Sequence, residues 1–387
     1  MENVRLLADK YADYICDIRH DLHAHPEASM EEFRTTDVIA KELDKMGIPY
    51  RRFEPTGLIA TITGGHPGKT IGLRGDIDAL SITEKTDVPF KSQNDGFMHA
   101  CGHDTHASML LGAAKVLNEI KDELYGNVKL LFQPAEEIAS GAKTVIKQGA
   151  LDGVDAMFGI HIAAQKDVGA VYMRSGASAA AADTFKIKII GRAGHGATPE
   201  ACTDATVCAA ALVMNLQTIV SRETSPLTPL VVTVGTLNSG TRFNIISGEA
   251  TLTGTCRSFD VKLHHSLPEI MERIVKNTCE TYKCTYEYEY NMMTEVLVND
   301  PEIEQIAWNA AKKVVDNPDT QVVEAGLMMG AEDFSEYTVI CPSSFASVGA
   351  GGDYPHHSDY FYLDEKAFPT GAALYAQVAV DYLEKNK

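Results

Sequence analysis

The sequence of 387 residues predicts an α/β protein with two domains, the larger of which is discontinuous. In both terminal parts of the chain, short apolar runs that end in polar residues alternate with helical stretches, a pattern typical of a largely parallel mixed sheet with helices on its faces. Residues 183–293 instead show the pattern of an α+β unit of about 110 residues, near the common domain size. We therefore predict one domain from residues 1–182 and 294–387, with residues 183–293 inserted as a second domain.

The elements of the larger domain follow from apolar spacing. Apolar residues three or four apart predict helices over residues 4–22 and 31–46. The apolar runs predict strands over residues 58–63, 70–73, 128–132 and 156–162. Helices are expected between them, over residues 104–120 and 140–148. After the insertion the pattern resumes with residues 303–315 (helix), 344–349 (strand) and 366–383 (helix).

In the inserted domain we predict four strands and two helices. The strands are residues 184–190, 230–237, 250–259 and 284–290, and the helices are residues 204–220 and 267–281. Alternation along the third strand puts Arg257 on a polar face with three threonines, where its planar guanidinium can bind a carboxylate through two hydrogen bonds. An ordinary surface arginine would show the same pattern.

Composition excludes several classes of function. The formal net charge of -19 argues against nucleic acid or an anionic membrane as a partner, because like charges repel. The N-terminus shows no secretory signal, and the longest apolar stretch, residues 205–216, is too short to span a bilayer, so a cytoplasmic protein is expected. The eight cysteines include no Cys-x-x-Cys pair and are expected to be reduced thiols.

The densest polar cluster spans residues 99–106 and contains Cys101 and His103. Thiolate and neutral imidazole are strong ligands for zinc and similar metals, and Gly102 between them lets the backbone turn tightly enough for both to reach one ion. A buried thiol beside helix-capping residues would give the same sequence, with Asp104 capping the next helix.

Two glutamates, Glu136 and Glu137, follow a predicted strand and Pro134. In the loop after the proline, adjacent side chains point in different directions, so one glutamate can bind metal while the other faces the attacking water as general base. Two exposed acids are the alternative for an isolated pair.

Two histidines complete the candidate set. His161 follows an apolar run, where a lone histidine is often a core residue, and His357 follows a glycine-rich loop. Four separate segments thus carry metal-type ligands to where one open sheet would bring them together. Five ligands exceed the need of one tetrahedral zinc site and fit two adjacent ions. The mixed donors suit zinc, manganese or cobalt.

A nucleophilic Cys101 with His103 or His106 as its base is the competing hypothesis. A cysteine two residues from its own base aligns poorly with a separate carbonyl, and this arrangement leaves the glutamates without a role. The sequence also lacks a Gly-x-Ser-x-Gly elbow and a phosphate-binding loop.

The chain resembles a family of metal-dependent amidohydrolases. The family includes hippurate hydrolase, N-acetyldiaminopimelate deacetylase, aminoacylase-like enzymes and plant hydrolases of auxin-amino acid conjugates. The resemblance runs nearly end to end and rests on these motifs: His23-Ala24-His25-Pro26-Glu27, Arg74-Gly75-Asp76-Ile77-Asp78-Ala79-Leu80, His99-Ala100-Cys101-Gly102-His103-Asp104, Gln133-Pro134-Ala135-Glu136-Glu137, Gly159-Ile160-His161, Gly194-His195, Gly330-Ala331-Glu332-Asp333-Phe334 and His357-Ser358.

The resemblance implies a role for each candidate residue. It implies Glu136 as the general base, and it implies two divalent ions per subunit held by Cys101, His103, Glu137, His161 and His357. It further implies that the inserted domain is a lid and dimerisation module of a homodimer. In that arrangement His195 reaches the partner subunit's active site, and Asn244 and Arg257 hold the substrate carboxylate.

The expected reaction is hydrolysis of N-acyl amino acids by a metal-activated water, with Glu136 as base. A dipeptidase or carboxypeptidase on the same centre is the second hypothesis, and a metal-binding protein without turnover is the third. Two departures from the family pattern lie near the presumed substrate side: Glu200 follows Pro199 where the family usually has histidine, and Ser247 stands where proline is common. They leave the acyl-group and amino-acid preference open.

Overall fold

The chain folds into two compact units, as the computed structural model, which describes residues 3–387, shows. The first comprises Met1–Ser178, Val298–Gly326 and Asp333–Lys387. The second comprises Ala179–Leu297 and Leu327–Glu332. The sequence divided the chain after residues 182 and 293, whereas the second unit extends from residue 179 to 297 and also contains residues 327–332, which the sequence assigned to the larger domain.

Sixteen strands and eleven helices are assigned within residues 3–387. The strands are β1 Tyr50–Arg52, β2 Leu58–Thr63, β3 His66–Asp76, β4 Tyr125–Gln133, β5 Ala156–Ala163, β6 Val171–Met173, β7 Gly176–Ala179, β8 Ala181–Ile190, β9 Gly194–His195, β10 Leu230–Ser239, β11 Ile245–Ile246, β12 Glu249–Ser258, β13 Thr285–Thr294, β14 Leu297–Asn299, β15 Val322–Glu324 and β16 Ser343–Gly349. The helices are α1 Val4–Lys10, α2 Ala12–His23, α3 Phe33–Met46, α4 His103–Glu119, α5 Gly141–Lys147, α6 Ala205–Thr218, α7 Val261–Thr281, α8 Pro301–Val314, α9 Pro318–Gln321, α10 Ser335–Thr338 and α11 Phe368–Lys385.

The first unit is built on an eight-stranded sheet in the order β1-β2-β4-β3-β5-β16-β6-β15. Its four central strands, β4, β3, β5 and β16, run parallel, whereas β1, β2 and β6 join it through antiparallel pairs. Helices α4 and α11 are almost entirely buried against this sheet. The predicted α/β class with a mixed, centrally parallel sheet is confirmed.

The second unit has a four-stranded antiparallel sheet in the order β10-β12-β8-β13, with α6 and α7 packed on it. By length and composition alone, the helical stretch Ala205–Glu223 could cross a membrane, with a mean hydropathy of 1.3. A core helix meets the same criterion, and Leu212 and Leu216 of this helix are fully buried in the unit's core.

Two predicted helices were wrong in their bounds. The predicted helix over residues 4–22 is divided at Tyr11, whose backbone leaves the helical region and ends α1. The predicted helix over residues 267–281 begins earlier, at Val261, because the Asp260 carboxylate accepts the Leu263 N–H at 2.8 Å and caps the first turn. Pro268 lies inside this helix.

Candidate metal centre

The candidate ligands lie where the central parallel strands of the first unit end. His161 lies near the end of β5, Glu136 and Glu137 follow β4, and His357 lies in the loop after β16. Since β4, β3, β5 and β16 are adjacent and parallel, their carboxyl ends share one edge of the sheet. The convergence expected from the sequence is therefore present.

The ligand atoms form two groups that share Cys101. In each of the sets Cys101–His103–His161 and Cys101–Glu137–His357, all ligand atoms lie within 4.8 Å of one another. The Cys101 sulfur lies 3.4 Å from the His161 Nε2. Two overlapping groups of three match two adjacent ions better than one.

Unpartnered buried atoms test whether a cation fits. Among the described residues, the His103 Nε2 and the Glu137 Oε1 are buried without a hydrogen-bond partner and lie 3.9 Å apart. The same Glu137 oxygen lies 3.8 Å from the His357 Nε2. Buried polar atoms normally have partners, and leaving one without costs about 1–3 kcal/mol. A divalent cation bound here would give the His103 Nε2 and the Glu137 Oε1 a partner, with the His357 Nε2 as a third ligand atom beside them.

The protonation states of His161 and Cys101 bear on metal binding. Burial lowers the pKa of His161, and the neighbouring His106 lowers it further, so its imidazole is neutral. The His161 Nδ1 lies 2.6 Å from the Ile162 carbonyl, which leaves the Nε2 lone pair toward Cys101. Burial raises the pKa of the Cys101 thiol, so a bound cation is required to hold it as a thiolate.

Local backbone geometry brings these side chains together. Gly102 has φ of 91°, and a Cβ there would lie 2.5 Å from the Ile162 side chain, so the turn between Cys101 and His103 requires glycine. His357 also has a positive φ, 65°, and its N–H donates to the Ala100 carbonyl at 2.8 Å. The distant loop is thus tied to the segment that carries Cys101.

A buried carboxylate, Asp78, orients three parts of the centre. Its Oδ1 lies 3.1 Å from the His103 Nδ1, so this ring nitrogen donates and the Nε2 remains for metal. Its two oxygens also accept the N–H groups of Glu136 and Glu137, each at 3.1 Å. The Ser29 hydroxyl donates to the Oδ2 at 2.6 Å. One side chain thereby fixes a ligand ring and the loop of the glutamate pair.

A second buried carboxylate, Glu32, holds the residue before that pair. Its Oε1 accepts the Ala135 N–H at 2.8 Å. Ala135 has φ of 55°, a left-handed conformation that costs a non-glycine residue free energy and persists only when its surroundings hold it. Three consecutive amides of the loop, at residues 135–137, are therefore bound by two buried acids.

Glu136 itself is positioned by the first unit's C-terminal part. The Asp333 N–H donates to the Glu136 Oε1 at 3.4 Å. The Asp333 carboxylate pairs with the buried Arg74 at 2.7 Å, and Arg74 also pairs with Asp76 at 2.6 Å. The Asp76 carboxylate accepts from the His106 Nδ1. A buried ionic network thus underlies the centre.

Three further predicted residues belong to the second unit. His195 lies in β9 opposite Ile245 of β11, and the Gly196 N–H donates to the Asn244 carbonyl at 2.9 Å, so His195 and Asn244 lie side by side at an exposed two-stranded sheet. Arg257 lies in β12, and its guanidinium donates to the Cys256 carbonyl at 2.9 Å and to the Thr255 hydroxyl. The predicted alternation of β12 is observed. The roles of these residues remain predictions.

Sequence reasoning left the positioning acids without a role. Asp76 and Asp78 belong to one of the motifs that carry the resemblance, but nothing in the sequence indicated which groups they contact. Glu32 was not singled out, because its partner lies 103 positions along the chain. The motifs around Arg74 and Asp333 were the only features of the sequence that pointed to a role for buried charged residues near the centre.

Comparison with known proteins identifies relatives along the whole chain. The profile described as "Peptidase family M20/M25/M40" matches residues 72–381. Thermostable carboxypeptidase 1 of Saccharolobus solfataricus is 37% identical over 385 residues, which cover 96% of this chain and 96% of the relative. N-acetylcysteine deacetylase of Bacillus subtilis is 36% identical over 387 residues, which cover 98% and 100%. The crystal structure of the Bacillus subtilis YXEP protein, described as a dinuclear metal binding peptidase, has a TM-score of 0.87 and 34% identity, over 97% of this chain and 99% of that one.

Proposed function

The chain belongs to peptidase family M20/M25/M40 and is a hydrolase of the amidohydrolase and metallopeptidase type, and we propose that it cleaves the amide bond of N-acyl amino acids at two divalent ions. The observation that carries this proposal is the cluster of unpartnered buried atoms, the His103 Nε2 and the Glu137 Oε1, beside the Cys101 thiol. Two relatives support the reaction class, one named a deacetylase and one a carboxypeptidase. A structural relative described as dinuclear supports the ion count.

The ions would be held by Cys101, His103, Glu137, His161 and His357, with Cys101 common to both donor groups. When bound, two ions polarise the scissile carbonyl and lower the pKa of the attacking water. Thiolate, imidazole and carboxylate together suit zinc, manganese or cobalt.

Glu136 is the proposed proton carrier. Its carboxylate lies within 4.8 Å of the ligand atoms of His103 and Glu137, and it is partly buried. It accepts a proton from the attacking water and then gives one to the leaving amine nitrogen. The Asp333 N–H donates to its Oε1 and helps to fix its position beside the ligand atoms.

The substrate carboxylate is assigned to the second unit. We propose that Asn244 and Arg257 bind it, which requires a free α-carboxylate in the substrate. The same group is present in a C-terminal residue, so carboxypeptidase or dipeptidase activity is the second candidate, favoured by the relative named a carboxypeptidase.

We also propose a cytoplasmic homodimer that forms through the second unit, with His195 acting in the partner subunit's site. Exposed apolar side chains on α6 and β10 support an interface there: Val207 is 50% exposed, Met214 70% and Leu237 40%. His195 is exposed in β9, as a residue that reaches another subunit must be.

The decisive experiment combines a substrate panel with Glu136→Gln. We expect the wild type to release free amino acid from N-acetyl and N-benzoyl amino acids only with Zn²⁺, Mn²⁺ or Co²⁺. We expect Glu136→Gln to bind the same number of ions and to lose about 10²- to 10⁴-fold in kcat, the usual contribution of a general base. Full activity of the variant would remove Glu136 as the base, and no metal-dependent turnover on acyl or dipeptide substrates would favour a metal-binding protein without catalysis.

A further inference from the structure

A second group of possible metal ligands lies within the second unit. The ligand atoms of His264, His265 and Glu295 all lie within 4.8 Å of one another. His264 and His265 are adjacent residues at the junction of the first and second turns of α7, and Glu295 follows directly after β13. None of these residues has a part in the proposed reaction.

The separations match those of ligands around one ion. The Glu295 Oε2 lies 3.4 Å from the His264 Nδ1 and 3.1 Å from the His265 Nε2. Metal–nitrogen bonds of about 2.0 Å to 2.1 Å in a tetrahedron put neighbouring ligands roughly 3.3 Å apart. Two of the ligand–ligand distances that a bound ion requires are therefore already present.

The buried histidine is oriented as a metal ligand is. The His264 side chain is fully buried, and its Nε2 lies 2.9 Å from the Asp183 Oδ1. The other Asp183 oxygen accepts the Tyr290 hydroxyl at 2.6 Å, so this carboxylate is fixed. The His264 Nδ1, which faces Glu295, is buried without a hydrogen-bond partner among the described residues. A carboxylate on one ring nitrogen with the other nitrogen left for an ion is the usual arrangement of ligating histidines.

The charge of this cluster attracts a cation. Asp183 and Glu295 bring two negative charges to it; burial lowers the pKa of His264, but these two carboxylates raise it overall to about 9, so without metal the ring carries a proton that balances one of the charges. A divalent ion balances both and gives the unpartnered Nδ1 a bond. His265, with its side chain 52% exposed, leaves one side open to solvent for entry of the ion and for a water as fourth ligand.

We propose that His264, His265 and Glu295 bind a third divalent ion, of the zinc class, separate from the catalytic pair. Two imidazoles and one carboxylate are the donors that zinc, cobalt and nickel accept, whereas calcium and magnesium prefer oxygen alone. Glu295 lies two residues before Leu297, where the chain leaves the second unit, so the ion ties α7 to that exit segment. The three ligands would hold these two elements of one unit together around the ion.

The test compares the number of zinc ions bound per chain in the wild type and in variants. Wild type, His265→Ala, Glu295→Gln and the control His66→Ala are loaded with Zn²⁺, freed of excess by gel filtration and measured by mass spectrometry of the metal. His265 is the residue of choice because its exposed ring can be removed without breaking the buried Asp183–His264 pair. His66 is an exposed histidine of the first unit and corrects for loss of one surface imidazole.

We expect His265→Ala and Glu295→Gln to hold one zinc per chain fewer than the wild type, and His66→Ala to hold the same number. Asp183→Asn should weaken binding of this zinc about 10- to 100-fold in a competition with a chelator, as loss of an outer partner does. Zn²⁺ should also raise the Tm of the wild type more than that of His265→Ala. Equal zinc in wild type and His265→Ala would overturn the proposal, and because the comparison is a difference, it holds whatever number of ions the catalytic centre binds.

Discussion

Replacing Asp78 by asparagine tests how the centre is organised. The Asp78 carboxylate accepts four hydrogen bonds, from the His103 ring, the Glu136 and Glu137 amides and the Ser29 hydroxyl. Asparagine keeps the size of the side chain but turns one acceptor oxygen into an NH₂ donor. The substitution therefore changes hydrogen bonding and charge while it leaves packing intact.

The expected magnitude follows from those partners. If the asparagine oxygen takes the Oδ1 position, the His103 and Glu136 bonds survive, and the Ser29 hydroxyl can rotate to accept from the NH₂ group. The Glu137 N–H cannot rotate and loses its acceptor, at a cost of about 1–3 kcal/mol. Loss of the negative charge behind His103 adds the roughly 10- to 100-fold weaker metal binding that follows loss of an outer-shell carboxylate.

We therefore expect Asp78→Asn to bind metal at least 10-fold more weakly, measured by competition with a chelator, and to have a lower kcat on N-acetyl amino acids even at saturating metal. Asp155→Asn is the matched control, because Asp155 also accepts a backbone N–H, that of Thr70 at 2.8 Å, but lies before the start of β5, at the opposite end of the strand from His161. It should lose stability and keep metal affinity. Wild-type metal affinity and kcat in Asp78→Asn would refute the positioning argument.

Three other predictions concern stability, substrate binding and assembly. Burial raises the pKa of Glu304 to about 7, so between about pH 4.5 and 7 the folded state holds a proton that the unfolded state releases, and stability falls as pH rises through this window by on the order of 3 kcal/mol. Glu304→Gln should accordingly raise the Tm at pH 8 and have little effect at pH 4, whereas Glu302→Gln, at an exposed position of the same helix, should raise the Tm at neither pH. A Tm of Glu304→Gln at pH 8 equal to that of the wild type would contradict this. Arg257→Ala should raise KM strongly, with kcat less affected, for substrates with a free carboxylate, and an unchanged KM would remove Arg257 from the site. Mixing His195→Ala with Glu136→Gln should restore part of the activity through hybrid dimers, and no recovery after verified subunit exchange would exclude a shared site.

Local patterns in the sequence predicted most of the long elements, because a long helix or strand that is buried on one face repeats apolar residues at a regular spacing. The strand predicted over residues 58–63 has the bounds of β2, and the short run at residues 70–73 is the buried part of the longer β3. The strands β6 and β15, of three residues each, were not predicted. They exist because they pair with neighbours along the sheet, and three residues carry no readable period.

The sequence by itself determined the chemistry that this protein can perform. Metal-type donors follow apolar runs in separate segments, and residue type alone makes Cys101, His103 and His161 candidate ligands for a borderline metal. Only the tertiary structure decided how those donors are held. Asp78 contacts a loop 58 positions away, and Glu32 contacts one 103 positions away, and no local pattern encodes such pairs. The reason is physical. A buried carboxylate is stable only where several N–H groups donate to it, and those groups come together only when the sheet folds and packs.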